Sequence, residues 1–284
     1  MNHYYIITNS YKDKDNEVTN RICDYLERHG KKCTLQGQQD KTQGGYTDVK
    51  DIPADVDCII VLGGDGTLLQ AAHDVAERDI PLLGVNLGTL GYLAEVDSDK
   101  LESALKQLVD DDYDMDYRMM LTGKIVCDGK TEETDDALND IVLSRSGSLR
   151  VIMYDIFVNG QFLKNYVADG MILSTPTGST GYNMSAGGPI VEPTASLMVL
   201  TPVCPHTLNA RSIILSPEDL IEIRISEGRN NVDQEVMVNF DGGHARFLHT
   251  GDRLVITKSV NRTQILKLNK LSFLEVLHNK MYDE

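Results

Sequence analysis

The first part of the chain alternates between short apolar runs and segments with helical spacing. The apolar runs predict strands at 4–8, 32–35, 56–62 and 81–85, and the helical segments lie at 16–28, 67–76 and 101–109. Alternating strands and helices are typical of a parallel sheet with right-handed crossovers. Residues 1–117 are therefore predicted to form a Rossmann-like α/β domain, with a polar loop at 36–50.

A period of two replaces this pattern after about Tyr117. The turn Asn159-Gly160 separates two alternating runs at 151–158 and 161–167, which is a strong hairpin signal, and Asp128-Gly129 marks a second hairpin. Further strands are predicted at 220–225, 236–240 and 253–257. Residues 118–265 are accordingly predicted to form a β-rich domain of two packed layers, of the β-sandwich type. Helical spacing returns at 271–281, and we expect the tail 266–284 to pack on the first domain.

Composition and charge narrow the range of partners. The chain has 284 residues and a net charge of −16, so we expect no basic face for general nucleic-acid binding. No apolar run approaches the ~20 residues of a membrane helix, and residues 1–8 do not resemble a signal peptide. The five cysteines are scattered and show no C-x-x-C spacing, which argues against a disulfide framework or a zinc site. A reducing compartment is the simplest interpretation, and we expect a cytoplasmic protein.

The first candidate for chemistry is the stretch LGGDGTLL at 62–69, between a buried strand and a helix. Its glycines permit close approach to a ligand, and N–H groups at a helix N-terminus favour phosphate. Asp65 stands at the end of a strand, where open α/β sheets bind ligands. The alternative is a solvent-exposed turn in which Asp65 only caps the helix. Neither a P-loop nor a complete G-x-G-x-x-G fingerprint is present.

A second candidate is DGMILSTPTGSTGY at 169–182, which sets five Ser or Thr residues among Gly and Pro after an apolar strand. Hydroxyls, N–H groups and the ring of Tyr182 suit a nucleotide. The alternative is a Ser/Thr-rich surface loop. A weaker candidate is Asn139-Asp140, just before the apolar run 141–143. An amide beside a carboxylate can hydrogen-bond a diol, and the alternative is a simple turn.

Together with two downstream motifs, these stretches resemble the NAD kinase family. The motifs are GGDGTLL at 63–69, Asn139-Asp140, DGMILSTPTGSTGY at 169–182, SAGGPI at 185–190 and PHTLNAR at 205–211, in the family's order. GGDG also occurs in lipid kinases and phosphofructokinases, whereas STPTGST with SAGGPI and PHTL is specific. The resemblance implies transfer of the ATP γ-phosphoryl group to the 2′-hydroxyl of the adenosine ribose of NAD. It also implies Mg²⁺ delivered with ATP, a site between the domains, and a homodimer or homotetramer.

The resemblance further implies roles for individual residues. Asp65 is expected to be the general base and, with Gly66, to contact NAD, while the phosphate loop comprises Gly63, Gly64, Gly66 and Thr67. The other residues expected to bind NAD are Asn139, Asp140, Arg150, Asp169, Thr177, Thr180, Gly181, Tyr182, Asn183, Met184 and Ser185. Further candidates are Gly243, His244 and His73, the last of which is also typical of a surface histidine. No residues are assigned to a metal, and His206 is expected to be structural.

Two positions depart from the family's pattern, and two other functions remain open on the sequence alone. Many relatives carry Ala where Gly181 stands, and a basic residue of the family is replaced by Val167. A lipid or sugar kinase would share the GGDG turn and would phosphorylate a diacylglycerol, a sphingoid base or a sugar phosphate. A nucleotide sensor would bind NAD or NADP without chemistry, which the presence of Asp65 disfavours.

Overall fold

The polypeptide divides into two compact units in the computed structural model. Unit 1 comprises residues 1–118 and 263–284, and unit 2 comprises residues 119–262. The residues that the structure describes are 1–37, 47–88, 91–94, 96–147, 150–207, 209–268 and 271–282. Most of the loop predicted at 36–50, and one residue of the PHTLNAR motif, lie outside them.

Unit 1 alternates strands and helices, as predicted. Its strands are β1 (His3–Thr8), β2 (Lys32–Leu35), β3 (Cys58–Gly63), β4 (Leu82–Asn86) and β5 (Val96–Asp97), and its helices are α1 (Glu17–Arg28), α2 (Asp65–Asp74) and α3 (Leu101–Val109). The strands are parallel in the order β2-β1-β3-β4-β5. Every residue of β3 and β4 is buried, which is typical of central parallel strands. The Rossmann-like α/β prediction is confirmed.

The main buried cluster of unit 1 joins α1 and α3 to this sheet. Leu101, Leu105 and Leu108 of α3 share a buried cluster with Ile60 and Leu62 of β3. The helical spacing of the three leucines therefore marks the packed face of α3. The C-terminal helix, Phe273–Tyr282, also belongs to unit 1, and its Lys280 ammonium lies 4.9 Å from the ring centroid of Tyr92.

One covalent link in unit 1 departs from the sequence-based expectation. Cys23 of α1 and Cys33 of β2 form a disulfide, with their Cα atoms 5.6 Å apart. The expectation of reduced, scattered cysteines was wrong for this pair, because α1 leads directly back to the strand beside it. Spacing along the chain does not reveal that proximity. Cys58, Cys127 and Cys204 are free.

Unit 2 is rich in strands and confirms the two predicted layers. Its elements are β6 (Asp114–Cys127), β7 (Lys130–Ala137), β8 (Asp140–Arg145), β9 (Ile152–Val158), β10 (Gln161–Ala168), β11 (Gly170–Ser174), α4 (Tyr182–Ser185), β12 (Met198–Val203), β13 (Ile213–Leu215), β14 (Ile221–Ile225), β15 (Glu235–Phe240), β16 (Arg246–His249) and β17 (Arg253–Lys267). The tail helix is accordingly α5. Both β6 and β17 continue from one unit into the other.

The two layers of unit 2 are antiparallel and share one core. The first has the order β13-β12-β11-β8-β15-β16, and the second contains β10-β9-β14-β17 together with the β6-β7 hairpin. Tyr154 and Ile223 from the second layer lie in one buried cluster with Met171, Leu173 and Leu200 from the first. Interdigitated apolar side chains thus hold the layers together.

Both predicted hairpins are confirmed, and the backbone conformation of their turns explains why the sequence predicted them. Asn159 and Gly160 have φ values of 51° and 76°, and Asp128 and Gly129 have φ values of 49° and 77°. Two successive left-handed residues define the type I′ turn, which Asn-Gly and Asp-Gly adopt readily. Among the described helices, none combines the length and the apolar character that crossing a membrane requires.

Candidate functional site

The glycine turn predicted as a phosphate loop lies at the carboxyl end of β3 in unit 1. The strand ends at Gly63, and α2 begins at Asp65. The Gly64 carbonyl accepts the N–H groups of Thr67 at 3.0 Å and Leu68 at 3.2 Å, which starts the helix. A Cβ atom at Gly63 would overlap the Thr67 hydroxyl, so the turn requires glycine there. The four predicted phosphate-loop residues therefore lie together around the first turn of α2.

The Asp65 carboxylate is held by the backbone of a second segment. Its Oδ2 accepts the Tyr92 N–H at 2.7 Å, and its Oδ1 accepts the N–H groups of Leu93 at 3.1 Å and Ala94 at 3.3 Å. A carboxylate offers about four acceptor positions, two on each oxygen. Three of them are used here, and the fourth belongs to Oδ2. Sequence reasoning missed this clamp because its donors are backbone groups about 30 residues further along the chain.

A cavity of about 1110 Å³ adjoins the glycine turn within unit 1. Its wall includes Gly64, Gly66 and Thr67, together with Asn9 and Lys12 from the segment after β1. The volume is slightly above the ~300–1,000 Å³ typical of ligand sites. Neither Asn9 nor Lys12 was predicted, although a polar stretch directly after a buried strand was a signal for them. His73 lies in the last turn of α2, with Nδ1 3.7 Å from Asp74.

In unit 2, Asn139 and Asp140 lie at the start of β8 and are clamped by Asp241. The Asp241 carboxylate accepts the N–H groups of Leu138 at 2.6 Å, Asn139 at 2.7 Å and Asp140 at 3.0 Å. The Asp241 N–H in turn donates to the Asp140 carbonyl at 3.0 Å. Asp241 has a φ of 48° and opens the turn Asp241-Gly242-Gly243, whose Asp-Gly pair was the available signal. The turn also carries the two late candidates, Gly243 and His244.

The side chains of Asn139 and Asp140 have distinct electrostatic surroundings. Burial, followed by the negative charge of Asp241, raises the pKa of the Asp140 carboxyl to about 7. Asn139 Oδ1 is buried, and within the described part of the chain it has no hydrogen-bond partner. A buried acceptor without a partner costs free energy unless a ligand supplies a donor. These two groups therefore offer one acceptor without a hydrogen-bond partner and one carboxyl that gains or loses its proton near neutral pH.

The Ser/Thr-rich stretch folds against the same two residues. Pro176, which lacks an N–H, follows β11, and residues 177–180 form a 3-10 turn before α4. The Thr175 N–H donates to the Asn139 carbonyl at 2.9 Å, and the Thr175 hydroxyl donates to the Leu138 carbonyl at 2.6 Å. A Cβ at Gly181 would lie 3.5 Å from Asn139 Nδ2 and 3.9 Å from Asp140 Oδ2. The structure thus brings Asn139, Asp140 and Gly181 together.

The remaining members of this stretch divide between the interior and the surface. Asn183 is fully buried, and its amide nitrogen donates to the carbonyls of Ser179 at 3.1 Å and Pro189 at 2.9 Å. Its Oδ1 accepts the Thr201 hydroxyl at 2.7 Å, so its side chain supports the turn. Thr177 is buried, Thr180 is half-buried, and Tyr182, Met184 and Ser185 are exposed. The exposed side chains are available to a ligand.

Asp169 lies away from this group, and among the described residues Arg150 makes no hydrogen bond or ion pair with it. Asp169 precedes β11, at the opposite end of the strand from Thr177, and the strand itself spans about 13 Å between Gly170 and Ser174. Asp169 Oδ1 lies 3.7 Å from Nε of Arg145. Arg150 is exposed in the segment after β8. Within the described ranges, no group of three or more His, Cys, Asp or Glu side chains is arranged to hold a metal ion.

Comparison with known families covers most of the chain. The ATP-NAD kinase N-terminal domain matches residues 5–113, and the ATP-NAD kinase C-terminal domain matches residues 138–268. The chain is 45% identical to the NAD kinase of Lachnospira eligens, over 99% of this chain and 100% of that protein. It is 46% identical to the NAD kinase of Agathobacter rectalis, over 99% of each.

Solved structures share the fold. Yeast NADH kinase, crystallised with NADH, superimposes with a TM-score of 0.88 over 99% of this chain and 87% of that chain. An NAD kinase from Archaeoglobus fulgidus, in complex with ATP, superimposes with a TM-score of 0.77 over 99% of each chain. Both are 24% identical to this sequence, so the likeness concerns the fold alone.

Proposed function

Since the chain belongs to the ATP-NAD kinase family, we propose that it transfers the γ-phosphoryl group of ATP to the 2′-hydroxyl of the adenosine ribose of NAD, forming NADP. The observation that carries the proposal is the clamped Asp65 carboxylate at the first turn of α2, beside a glycine turn and a large cavity. These features suit a phosphoryl transfer, which depends mainly on positioning and charge stabilisation.

Asp65 acts on the acceptor hydroxyl through its Oδ2 atom. Backbone donors occupy one position on Oδ2 and both positions on Oδ1, so the remaining position on Oδ2 accepts the ribose O–H. A carboxylate is a weak base toward an alcohol. Asp65 therefore orients the hydroxyl and takes its proton late, after the loose transition state has begun to form. The three N–H donors prevent the carboxylate from rotating away.

The phosphates are held by the backbone around the start of α2. The first N–H groups of a helix have no partner within it, and they favour anions. At Gly66 there is open space where a side chain would stand, so a phosphate can approach the backbone closely. Mg²⁺ enters with ATP as part of the substrate and neutralises charge on the transferring group.

NAD is recognised by the residues gathered around β8 and α4 in unit 2. No donor from the described residues reaches Asn139 Oδ1, and the Asp140 carboxyl lies beside it, so the pair suits the hydroxyls of a ribose. The exposed Tyr182 provides a ring for stacking. Thr177, Thr180, Asn183, Met184 and Ser185 complete the proposed NAD-binding set in this stretch. Asp169, Arg150, Gly243 and His244 are assigned to the same substrate by the family resemblance.

We also propose a cytoplasmic homodimer or homotetramer. The family resemblance supports this assembly, and Ile214 and Phe247 provide exposed apolar surface on the edge strands β13 and β16.

A substrate panel tests the proposed reaction. The purified protein is incubated with ATP, Mg²⁺ and either NAD, a diacylglycerol, a sphingoid base or a sugar phosphate, and NADP is detected with an NADP-specific dehydrogenase. We expect ATP-dependent formation of NADP and no phosphorylation of the other acceptors. Phosphorylation of a lipid or sugar with NAD inert would contradict the proposal. Tight binding of NADP without turnover would instead indicate a sensor.

A further inference from the structure

Lys12 brings a cationic group to the cavity of unit 1. A Cβ atom at Gly64 would lie 3.3 Å from Lys12 Nζ, and a Cβ at Gly88 would lie 3.4 Å from the same atom. Gly64 follows β3, and Gly88 follows β4. The ammonium therefore stands against two glycine-containing turns at the carboxyl ends of adjacent parallel strands. Ligands of open α/β sheets bind at such ends.

The segment that carries Lys12 is anchored to the glycine turn. The Asn9 N–H donates to the Leu62 carbonyl at 2.9 Å, and Asn9 Nδ2 donates to the Thr67 hydroxyl at 3.4 Å. The Lys12 N–H then donates to the Asn9 carbonyl at 2.9 Å. Asn9 thus ties the backbone at residue 12 to both β3 and α2. A shift of the glycine turn would therefore move Lys12, and a shift of Lys12 would move the glycine turn.

The charge of Lys12 is available to an anion. Among the residues that the structure describes, no carboxylate lies within 4.0 Å of its ammonium. The neighbouring Asp13 is buried and accepts the N–H groups of Val18 at 3.0 Å and Thr19 at 2.9 Å. In a chain of net charge −16, a cation beside a glycine turn is the group that offsets the charge of a polyphosphate.

The rest of the cavity suits an elongated, polar ligand. From Gly64 to Asp74, α2 advances about 15 Å along one wall. At the far end, Asp74 accepts the Thr47 N–H at 2.7 Å and the Gln70 amide at 2.7 Å. Gln36 donates to the Thr47 hydroxyl at 2.6 Å. Polar groups therefore line the end of the cavity that lies away from Lys12.

We propose that Lys12 binds the terminal phosphate oxygens of the phosphoryl donor, a nucleoside triphosphate that lies in this cavity. The assignment rests on the proposed function. The donor is preferred to NAD because its triphosphate carries the higher charge, and because the residues proposed to recognise NAD belong mainly to unit 2. Lys12 holds the phosphates against Gly64 and Gly88, and the polar end of the cavity receives the nucleoside.

The test compares Lys12→Gln with Lys14→Gln in the full chain. Lys14 is exposed, lies two residues away and is not part of the cavity wall. The Lys14→Gln substitution therefore removes the same charge from outside the cavity. Loss of a charge-assisted hydrogen bond to phosphate is worth about a 10- to 100-fold change in affinity. We expect Lys12→Gln to raise KM for ATP, and the calorimetric Kd of a non-hydrolysable ATP analogue, by that factor. The NAD affinity and the Lys14→Gln values should stay at wild-type level, and Lys12→Arg should restore much of the donor affinity.

The outcomes separate this inference from the proposed reaction. A folded wild-type protein that makes no NADP would contradict the proposed function, whatever the variants do. A wild-type protein that makes NADP, with Lys12→Gln indistinguishable from Lys14→Gln, would overturn the assignment of Lys12 alone. A rise in KM for NAD instead of ATP would also overturn it. Circular dichroism and thermal melting of the variants show whether the fold is intact.

Discussion

Gly91 leaves the space that the Asp65 carboxylate occupies, since a Cβ atom at residue 91 would overlap Asp65 Oδ1. The same carboxylate accepts the N–H groups of Tyr92, Leu93 and Ala94. The segment 91–94 therefore both makes room for the proposed base and fixes its direction. Glycine is required here by close approach, not by a left-handed backbone.

The first prediction concerns this contact. Gly91→Ala should displace the Asp65 carboxylate and lower kcat by about 100-fold, because a misplacement of about 1 Å can have that effect on a positioned group. Binding of NAD, measured by calorimetry, should weaken much less. Steady-state kinetics with saturating ATP and NAD gives kcat, and thermal melting checks the fold. A folded Gly91→Ala variant with wild-type kcat would show that the position of Asp65 does not limit the reaction.

A second prediction contrasts two glycines of the Ser/Thr-rich turn. A Cβ at Gly178 would overlap the backbone carbonyl of Asn139, which cannot move without disturbing β8. A Cβ at Gly181 would meet the Gly178 carbonyl at 3.3 Å, which needs only a small adjustment. Gly178→Ala should therefore lower the melting temperature and NAD affinity, whereas Gly181→Ala should keep both close to wild type. Equal effects of the two substitutions would contradict the packing described here.

The third prediction concerns the clamp on β8. Asp241→Asn leaves one acceptor oxygen for the N–H groups of 138–140, so we expect the free energy of unfolding to fall by about 2–3 kcal/mol. NAD should bind more weakly, because Asn139 and Asp140 lose their fixed positions. Asp233→Asn is the matched control, since Asp233 is exposed in the segment before β15. Denaturant unfolding and NAD titration of both variants make the comparison, and matching results for the two would refute a clamping role.

A fourth prediction follows from the raised pKa of Asp140. In the unfolded chain its pKa lies near ~3.9, and in the folded protein it is about 7. The folded state therefore holds the proton more tightly, and the resulting stability is complete below pH ~3.9 and lost as pH rises to about 7. Between pH 5 and 8 this amounts to about 2–3 kcal/mol.

The Asp140→Asn variant isolates this contribution because it does not titrate. Relative to wild type, the variant should gain stability as the pH rises from 5 to 8, and the gain should level off above pH 8. Denaturant midpoints of both proteins across that range provide the measurement. Parallel curves for the two proteins would mean that Asp140 titrates normally in the fold.

Local chemistry explains how much of the fold was visible in the sequence. Asn159-Gly160 and Asp128-Gly129 predicted their hairpins correctly because each pair adopts the left-handed turn conformation without contacts from distant residues. The spacing of the α3 leucines predicted the buried face of that helix. By contrast, β17 extends to Lys267 rather than ending near residue 257, because its exposed Lys258 and Arg262 interrupt the apolar pattern.

The sequence predicted the candidate site only at residues that belong to a recognisable motif. Asp65 was identified from its glycines, but the donors that orient it come from residues 92–94, which have no distinctive side-chain pattern. Asp241 lies about 100 residues from the N–H groups it accepts, so no periodicity connects them. The Cys23–Cys33 bridge was missed for the same reason, since it depends on where α1 returns the chain. Contacts between distant segments decide these features.

The central claim is that Asp65 acts on the substrate hydroxyl in an ATP-dependent conversion of NAD to NADP. The most direct measurement compares NADP formation by wild type and Asp65→Asn, together with the NAD Kd of each. A general base contributes about 10²- to 10⁴-fold, so the account predicts a loss of kcat in that range with NAD binding largely retained. A folded Asp65→Asn protein that forms NADP at close to the wild-type rate would contradict it.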